Sequence, residues 1–414
     1  MLRTTPAVAV LGLLLSHPPV ARADVVLEWN EILVNTLAGQ NPLVSSRVAA
    51  ITHTAVFEAV NAITEEYQPY LFTIEGSPGA SPEAAAVAAA HAVLVHFFPD
   101  PAPVEALNAF RDNSLAAIPD GPSKTAGIAV GQTAAAAIIA ARADDGSSMP
   151  AFFLPTSSNP GEWQLTPACP PAGGVFFHAP NITPFGIQTS SQFRAAPPPA
   201  LTSNAYAKDY EEVKTVGAAD SIARPGDRAD VAEFYNALFP VPLWSQVARH
   251  LAAVHPSSLT ANARAFALLT IAIMDGLVAN FETKYFYRFW RPETAIRNGD
   301  ADGNPKTEAN VDFMPFITTP CFPSYPSAHA SISYAARRVV HELWGNGGHS
   351  IDLTVPSLPQ MMLHYTSLKQ ITDDIDDARV YGGIHFRFDQ EAGARQGWRI
   401  GEYIYSNLLR PSQE

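Results

Sequence analysis

Three observations predict an all-α protein built as a large helical bundle. Apolar residues rich in alanine recur at helical spacing through most of the chain, the alternation that a half-buried strand needs is scarce, and 47% of the 414 residues are hydrophobic. That is enough apolar material for one large core or for two fused bundles. One stretch breaks the pattern. Residues 147 to 202 are rich in Pro, Gly, Ser and aromatics and close near Pro197-Pro198-Pro199. They read as a long irregular excursion that wraps the bundle or roofs a site.

The elements follow in order. Arg3, the apolar run from Ala7 to Leu15 and Ala21-Arg22-Ala23 have the layout of an export signal spanning 1-23, with the mature chain starting at Asp24. Helical periodicity then covers Arg47 to Ile63, Pro82 to Phe98, Val104 to Ile118, Lys124 to Ala143, Asn204 to Val216, Ala229 to Leu238 and Leu243 to Val254. It continues over Thr260 to Phe289, Ala330 to Leu343, Leu358 to Thr372 and Gln390 to Leu409. This divides residues 24-414 into an N-terminal helical part (24-257, including the irregular segment) and a C-terminal bundle (258-414), with no solenoid repeat.

Composition narrows the function classes. The formal charge of -13 argues against nucleic-acid binding. After the leader no stretch offers about twenty residues free of charge, so no membrane insertion is expected. Cys169 and Cys321 are the two cysteines. An exported chain permits a bridge between them, but sequence gives no distance, so both the bridged and the free state stay open.

Against the acidic background, the last third concentrates cations. Lys284 with Arg291-Pro292, then Pro326-Ser327-Ala328-His329, then Arg379 with His385 and Asp389, supply one lysine, two arginines, a hydroxyl and two histidines. Guanidinium forks and an ammonium are what a tetrahedral oxyanion needs. A helix through Phe281 to Trp290 is expected to carry Lys284 and Arg291 on one face, with Pro292 stopping it. Pro326 suits a first helical turn, which sets Ser327 and the free N–H groups of residues 327 to 329 at a positive helix end. His385 and Asp389 are four apart, so the carboxylate can hold one imidazole nitrogen and free the other.

The blocks Lys-x6-Arg-Pro, Pro-Ser-x-His and Arg-x5-His-x3-Asp resemble the signature shared by type 2 phosphatidic acid phosphatases and vanadium-dependent haloperoxidases. The stretches KYFYRFWRPETAIR from Lys284, CFPSYPSAHA from Cys321 and RVYGGIH from Arg379 are similar to secreted bacterial haloperoxidases. So are Ala265 to Leu268 and the run from Arg47 through Ala62 with His53 and Phe57-Glu58-Ala59.

The resemblance implies vanadate as cofactor, with His385 as its metal ligand. It implies oxygen-holding roles for Lys284, Arg291, Ser327, the Ala328 amide and Arg379, with Lys284 also polarising peroxide. It gives His329 acid-base work on hydrogen peroxide and places Asp389 behind His385. Hydrogen peroxide and halide are the implied partners, with an organic acceptor allowed. The phosphatase alternative makes His385 a nucleophile that forms a phosphohistidine while His329 protonates the leaving alcohol. Ala328 departs from the pattern, since many members carry glycine there.

Phe281, Phe286, Trp290 and Phe322 flank these residues, and Phe281, Trp290 and Phe322 are candidates for an apolar wall that dries a halide site. His91 and His96 read as packing, and His341, His349 and His364 lack a partner at useful spacing. Asp300-x-Asp302-x-Asn304 with Glu308 matches a calcium loop only in part and reads as a polar turn.

Overall fold

In a computed structural model, residues 24-71 and 74-412 are described; the expected export signal over 1-23 lies outside them. Among the described residues there are thirteen α-helices and one two-stranded sheet. The N-terminal half contributes α1 (Val25–Thr36), α2 (Pro42–Thr64), α3 (Pro82–Phe97), α4 (Pro101–Ala116), α5 (Pro122–Ala141), α6 (Asn204–Val216), α7 (Gly226–Ala237) and α8 (Pro240–Val254). Then come α9 (Leu259–Tyr287), α10 (Pro292–Arg297), α11 (Ala328–Trp344), the hairpin β1 (Gly347–Thr354) and β2 (Met362–Ser367), α12 (Leu368–Tyr381) and α13 (Arg387–Asn407).

Helix starts are written into the sequence. Proline sits in the first turn of α2, α3, α4, α5, α8 and α10, where its missing N–H costs nothing. Asn41, Ser81, Ser203, Ser258, Ser327 and Ser367 cap α2, α3, α6, α9, α11 and α12 through their side-chain oxygens.

α9 is the central element, buried along nearly its whole length and packed by α2, α11 and α13. By length and composition alone, α5 and α9 are both apolar enough to cross a membrane, which the sequence reading did not anticipate; α9 is a core helix. One apolar cluster, running from Val25 to Leu409, joins the helices of both halves. α11 and α13 pack closely. Gly393, Gly397 and Gly401 lie on one face of α13, and a Cβ on Gly397 would stand 2.0 Å from the Ser331 carbonyl oxygen. Only glycine lets these backbones meet so closely.

Several expectations are corrected. α1 carries no predicted counterpart. The helix expected over Leu358 to Thr372 is instead strand β2 followed by α12: residues 362-367 pair antiparallel with β1, and the Ser367–Gln370 capping box starts the helix at Leu368. Helix α9 stops at Tyr287, so Arg291 does not share its face with Lys284. Arg288 adopts the left-handed conformation (φ 49°, ψ 41°) and turns the chain out of the helix; Trp163 N–H then donates to the Arg288 carbonyl and Trp290 N–H to the Gly161 carbonyl. The residue before a proline is biased away from helix, and Pro292 begins α10 rather than only ending its predecessor. Pro326 lies one residue before the Ser327 cap, not inside the first turn.

Candidate active site

The irregular segment 147-202 lies against the walls of the site. Cys169 and Cys321 form a disulfide, Val175 N–H donates to the Cys321 carbonyl, and Tyr285 Oη donates to the Val175 carbonyl. The segment is thereby tied to the strap that leads into α11.

That strap is fixed from below. Asn280 on α9 donates through Nδ2 to the carbonyls of Pro326 and Ser327, both at 3.2 Å, and to Ser331 Oγ at 2.9 Å. Ser331 Oγ donates to Gln396 Oε1 on α13, and Gln396 Nε2 returns to Thr283 Oγ1 and the Ala279 carbonyl on α9. All these groups are buried, and apart from Asn280 Oδ1, which has no partner, their bonds permit one geometry. It sets the N-terminus of α11 one turn from Lys284.

The three basic clusters converge. Lys284 Nζ donates to the carbonyls of Pro323 at 2.9 Å and Ser324 at 2.6 Å. An ammonium has a third proton to give. Arg291 donates through Nε to the Phe322 carbonyl (2.9 Å) and through Nη1 to the Ile384 carbonyl (2.8 Å) and His385 Nε2 (2.9 Å). Arg379 donates through Nη1 to the Tyr235 carbonyl at 3.0 Å. His385 Nδ1 lies 2.8 Å from Asp389 Oδ2, which also accepts from Ser324 Oγ (2.6 Å) and Phe386 N–H (3.2 Å). The four-residue spacing works here as a helix start: Asp389 is in the first turn of α13 and His385 lies ahead of it.

Ser327 Oγ accepts from Ala330 N–H at 3.4 Å, which leaves its proton to donate. The Ser327 N–H, expected to be free, donates to the Asp389 carbonyl at 2.9 Å. The anion-facing amides of this helix start are therefore those of Ala328 and His329.

Several polar atoms remain without a partner although buried: Arg291 Nη2, Arg379 Nε, His329 Nε2 and Asp389 Oδ1. Buried donors are normally satisfied. Two of these are guanidinium nitrogens from different elements, and a multidentate oxyanion is the group that satisfies both.

The electrostatics agree. Burial, then Arg291, pushes Lys284 well below the usual lysine range. Burial pushes Arg291 down to about 9 and Arg379 to about 10, and Asp389 up to about 6. His329 and His385 are both held well below 6.5, by burial first and then by the neighbouring cations. Both imidazoles are thus neutral at pH 7. The His385 Nε2 lone pair, bonded by Arg291, is available to a metal once that donor turns to an anion.

The candidate aromatic wall divides. Phe281 and Phe322 meet at 5.1 Å between ring centroids, and Phe176 from the irregular segment packs on both. Lys284 Nζ is 5.2 Å from the Phe322 ring centroid and the Arg291 guanidinium 4.9 Å. Trp290 lies elsewhere, in a second cluster with Tyr206, Tyr210 and Phe386. Phe286 is exposed beneath the Arg194 guanidinium.

Sequence reasoning missed Ser324, Phe176, Phe239 and the Tyr235 carbonyl. Ser324 stands in the quoted CFPSYPSAHA run, so it was visible; the others act from distant segments and carry no local signal. The polar turn is as expected. Asp302 accepts from Asn304 N–H and Thr307 Oγ1, and among the described residues no three or more His, Cys, Asp or Glu side chains gather to hold a metal ion.

Residues 264-414 match the model of the vanadium chloroperoxidase second helical-bundle domain. The solved structure of the first bacterial vanadium-dependent iodoperoxidase superposes with a TM-score of 0.78 at 25% identity, over 94% of this chain and 97% of that one. The chain resembles the vanadium-dependent haloperoxidases. Vanadium chloroperoxidase from Curvularia inaequalis is 23% identical over 60% of this chain, which spans about half (51%) of that relative. A holo-type bacterial vanadium-dependent chloroperoxidase shares the haloperoxidase fold, with a TM-score of 0.71 at 17% identity over 90% of this chain and 93% of that one.

Proposed function

We propose that the chain is a vanadate-dependent haloperoxidase that oxidises halide with hydrogen peroxide to hypohalous acid. The observation that carries this reading is the pair of unpartnered buried guanidinium atoms, Arg291 Nη2 and Arg379 Nε, beside a neutral His385 backed by Asp389. The donor set fits vanadate. Lys284, Arg291, Arg379, Ser327 and the Ala328 amide would hold its oxygens, and His385 Nε2 its metal. Bound vanadate supplies a Lewis acid that makes hydrogen peroxide electrophilic.

The protein's own groups do the rest. His329 Nε2, neutral and without a partner, takes a proton from hydrogen peroxide and returns it to the departing water. Asp389 holds the His385 Nδ1–H, which fixes the tautomer and keeps Nε2 basic. Phe281, Phe322 and Phe176 keep water from the face where halide would approach. Export through residues 1-23 belongs to the same reading, and the Cys169–Cys321 disulfide supports it, since such bonds persist in oxidising compartments.

The test is to assay vanadate-free protein with and without orthovanadate, for peroxide-dependent halide oxidation and for phosphate ester hydrolysis. Halide oxidation that requires vanadate supports the reading. Ester hydrolysis without vanadate, inhibited by vanadate and unaccompanied by halide oxidation, contradicts it.

A further inference from the structure

A cleft of about 580 Å³ opens between the end of α1, the start of α2, the 237-242 strap and the first turns of α11. Its size is that of a small-molecule site. The cleft comes near the proposed proton-transfer residue without being lined by it: Phe239 lines the cleft, and its ring centroid lies 6.3 Å from that of His329. Ile332, one turn on from His329, lines it too, and Leu37, Leu238 and Val241 make its walls apolar.

The other end is charged and built. Arg249 lines the cleft and donates through Nη1 to Asn30 Oδ1 at 2.6 Å. Asn30 is held in turn by His53 Nε2 at 2.9 Å and Ser245 Oγ at 3.3 Å, and all three are buried. A buried polar relay thus aims one guanidinium at the cleft. Among the described residues no carboxylate is ion-paired with it; Glu31, exposed on the rim, is the acidic group whose charge it feels. Phe239, the residue that precedes α8, and Arg249 within it are ten residues apart, about 15 Å along the helix direction, part of which the arginine side chain covers.

Resting on the function proposed above, we propose that this cleft binds an elongated organic carboxylate, its carboxylate on Arg249 and its aromatic or unsaturated end beside Phe239 and His329. That end is where hypohalous acid emerges. Halogenation then balances: the carbon–halogen bond forms, the oxygen–halogen bond of hypohalous acid and one carbon–hydrogen bond break, and proton and hydroxide leave as water.

The test uses 3-(4-hydroxyphenyl)propanoate and its methyl ester, titrated calorimetrically into the folded chain without vanadate. The carboxylate should bind saturably and about ten-fold tighter than the ester, the value of one charge-assisted hydrogen bond. Arg249→Gln should abolish that preference. Glu31→Gln, a surface change that spares the fold, should tighten carboxylate binding about two-fold or more. In loaded enzyme, Arg249→Gln should keep wild-type iodide oxidation while halogenating acid and ester alike. Equal binding of acid and ester by wild type, or no response to either substitution, overturns the site. Intact iodide oxidation without selective binding sinks this inference alone, whereas selective binding without halide oxidation sinks the haloperoxidase reading and leaves the site.

Discussion

His385 and Asp389 are joined side chain to side chain across 2.8 Å, and Asp389 also receives Ser324 Oγ and the Phe386 amide. The carboxylate is fully buried and its charge opposes the lowering of Lys284 and Arg291, so it both orients the imidazole and offsets part of the cage's positive charge. Asp389→Asn should weaken orthovanadate binding about 10- to 100-fold, the usual effect of losing the group behind a metal-bound histidine. Calorimetric titration, with circular dichroism to confirm folding, checks this; unchanged affinity would deny Asp389 that role.

His329 occupies the first turn of α11, with Nε2 buried and unpartnered. His329→Ala should lower kcat by about 10²- to 10⁴-fold, as loss of a general acid-base does, while orthovanadate affinity changes little. Steady-state halide oxidation alongside direct vanadate titration separates the two. Collapse of affinity with normal turnover at saturation would show that His329 holds the cofactor instead.

Gly397 lets α13 touch α11. A Cβ there meets the Ser331 carbonyl oxygen at 2.0 Å, so Gly397→Ala should cost about 1-3 kcal/mol or more and lower the Tm. Because Ser331 belongs to the network that positions Ser327, vanadate binding should weaken as well. Gly226, where a Cβ meets nothing within 4 Å, is the control: Gly226→Ala should leave both unchanged.

The Arg291 position shows where sequence stops being sufficient. Chemistry-bearing side chains in ordered blocks were readable, because any oxyanion site needs such donors, and all three clusters do meet. Their local geometry was not readable. Lys284 and Arg291 looked like neighbours on one helix, yet pairing of residues 288-291 with the distant Gly161–Trp163 segment overrides helical spacing. The hairpin was missed for a similar reason: Met362–Ser367 pairs with an earlier strand, from Thr354 opposite Met362 to Gly347 opposite Ser367. Trp290 was grouped with Phe281 and Phe322 by proximity in sequence, but the turn at Arg288 sends it into another cluster. The amphipathic core helices, whose pattern is local, were found with ends shifted by a few residues.

Glu58 on α2 is a buried carboxyl outside the cage, accepting from Tyr70 N–H, and burial pushes it from 4.5 up to about 7. The folded chain thus holds a proton there that the unfolded chain releases between these values. Its contribution favours folding below about pH 4.5 and is lost as pH rises towards 7, by about 3 kcal/mol at most. Glu58→Gln keeps an acceptor and removes the titration, so thermal unfolding of the variant should depend less on pH between 4.5 and 7. Identical profiles would show that Glu58 ionises normally.

The central claim is that three sequence clusters form one oxyanion cage anchored on His385. Equilibrium titration of vanadate-free protein with orthovanadate, for wild type and His385→Ala, tests it most directly. Saturable binding of one equivalent per chain, competed by phosphate, and a large loss of affinity in His385→Ala are expected. Absence of saturable binding, or binding that His385→Ala leaves intact, would contradict it.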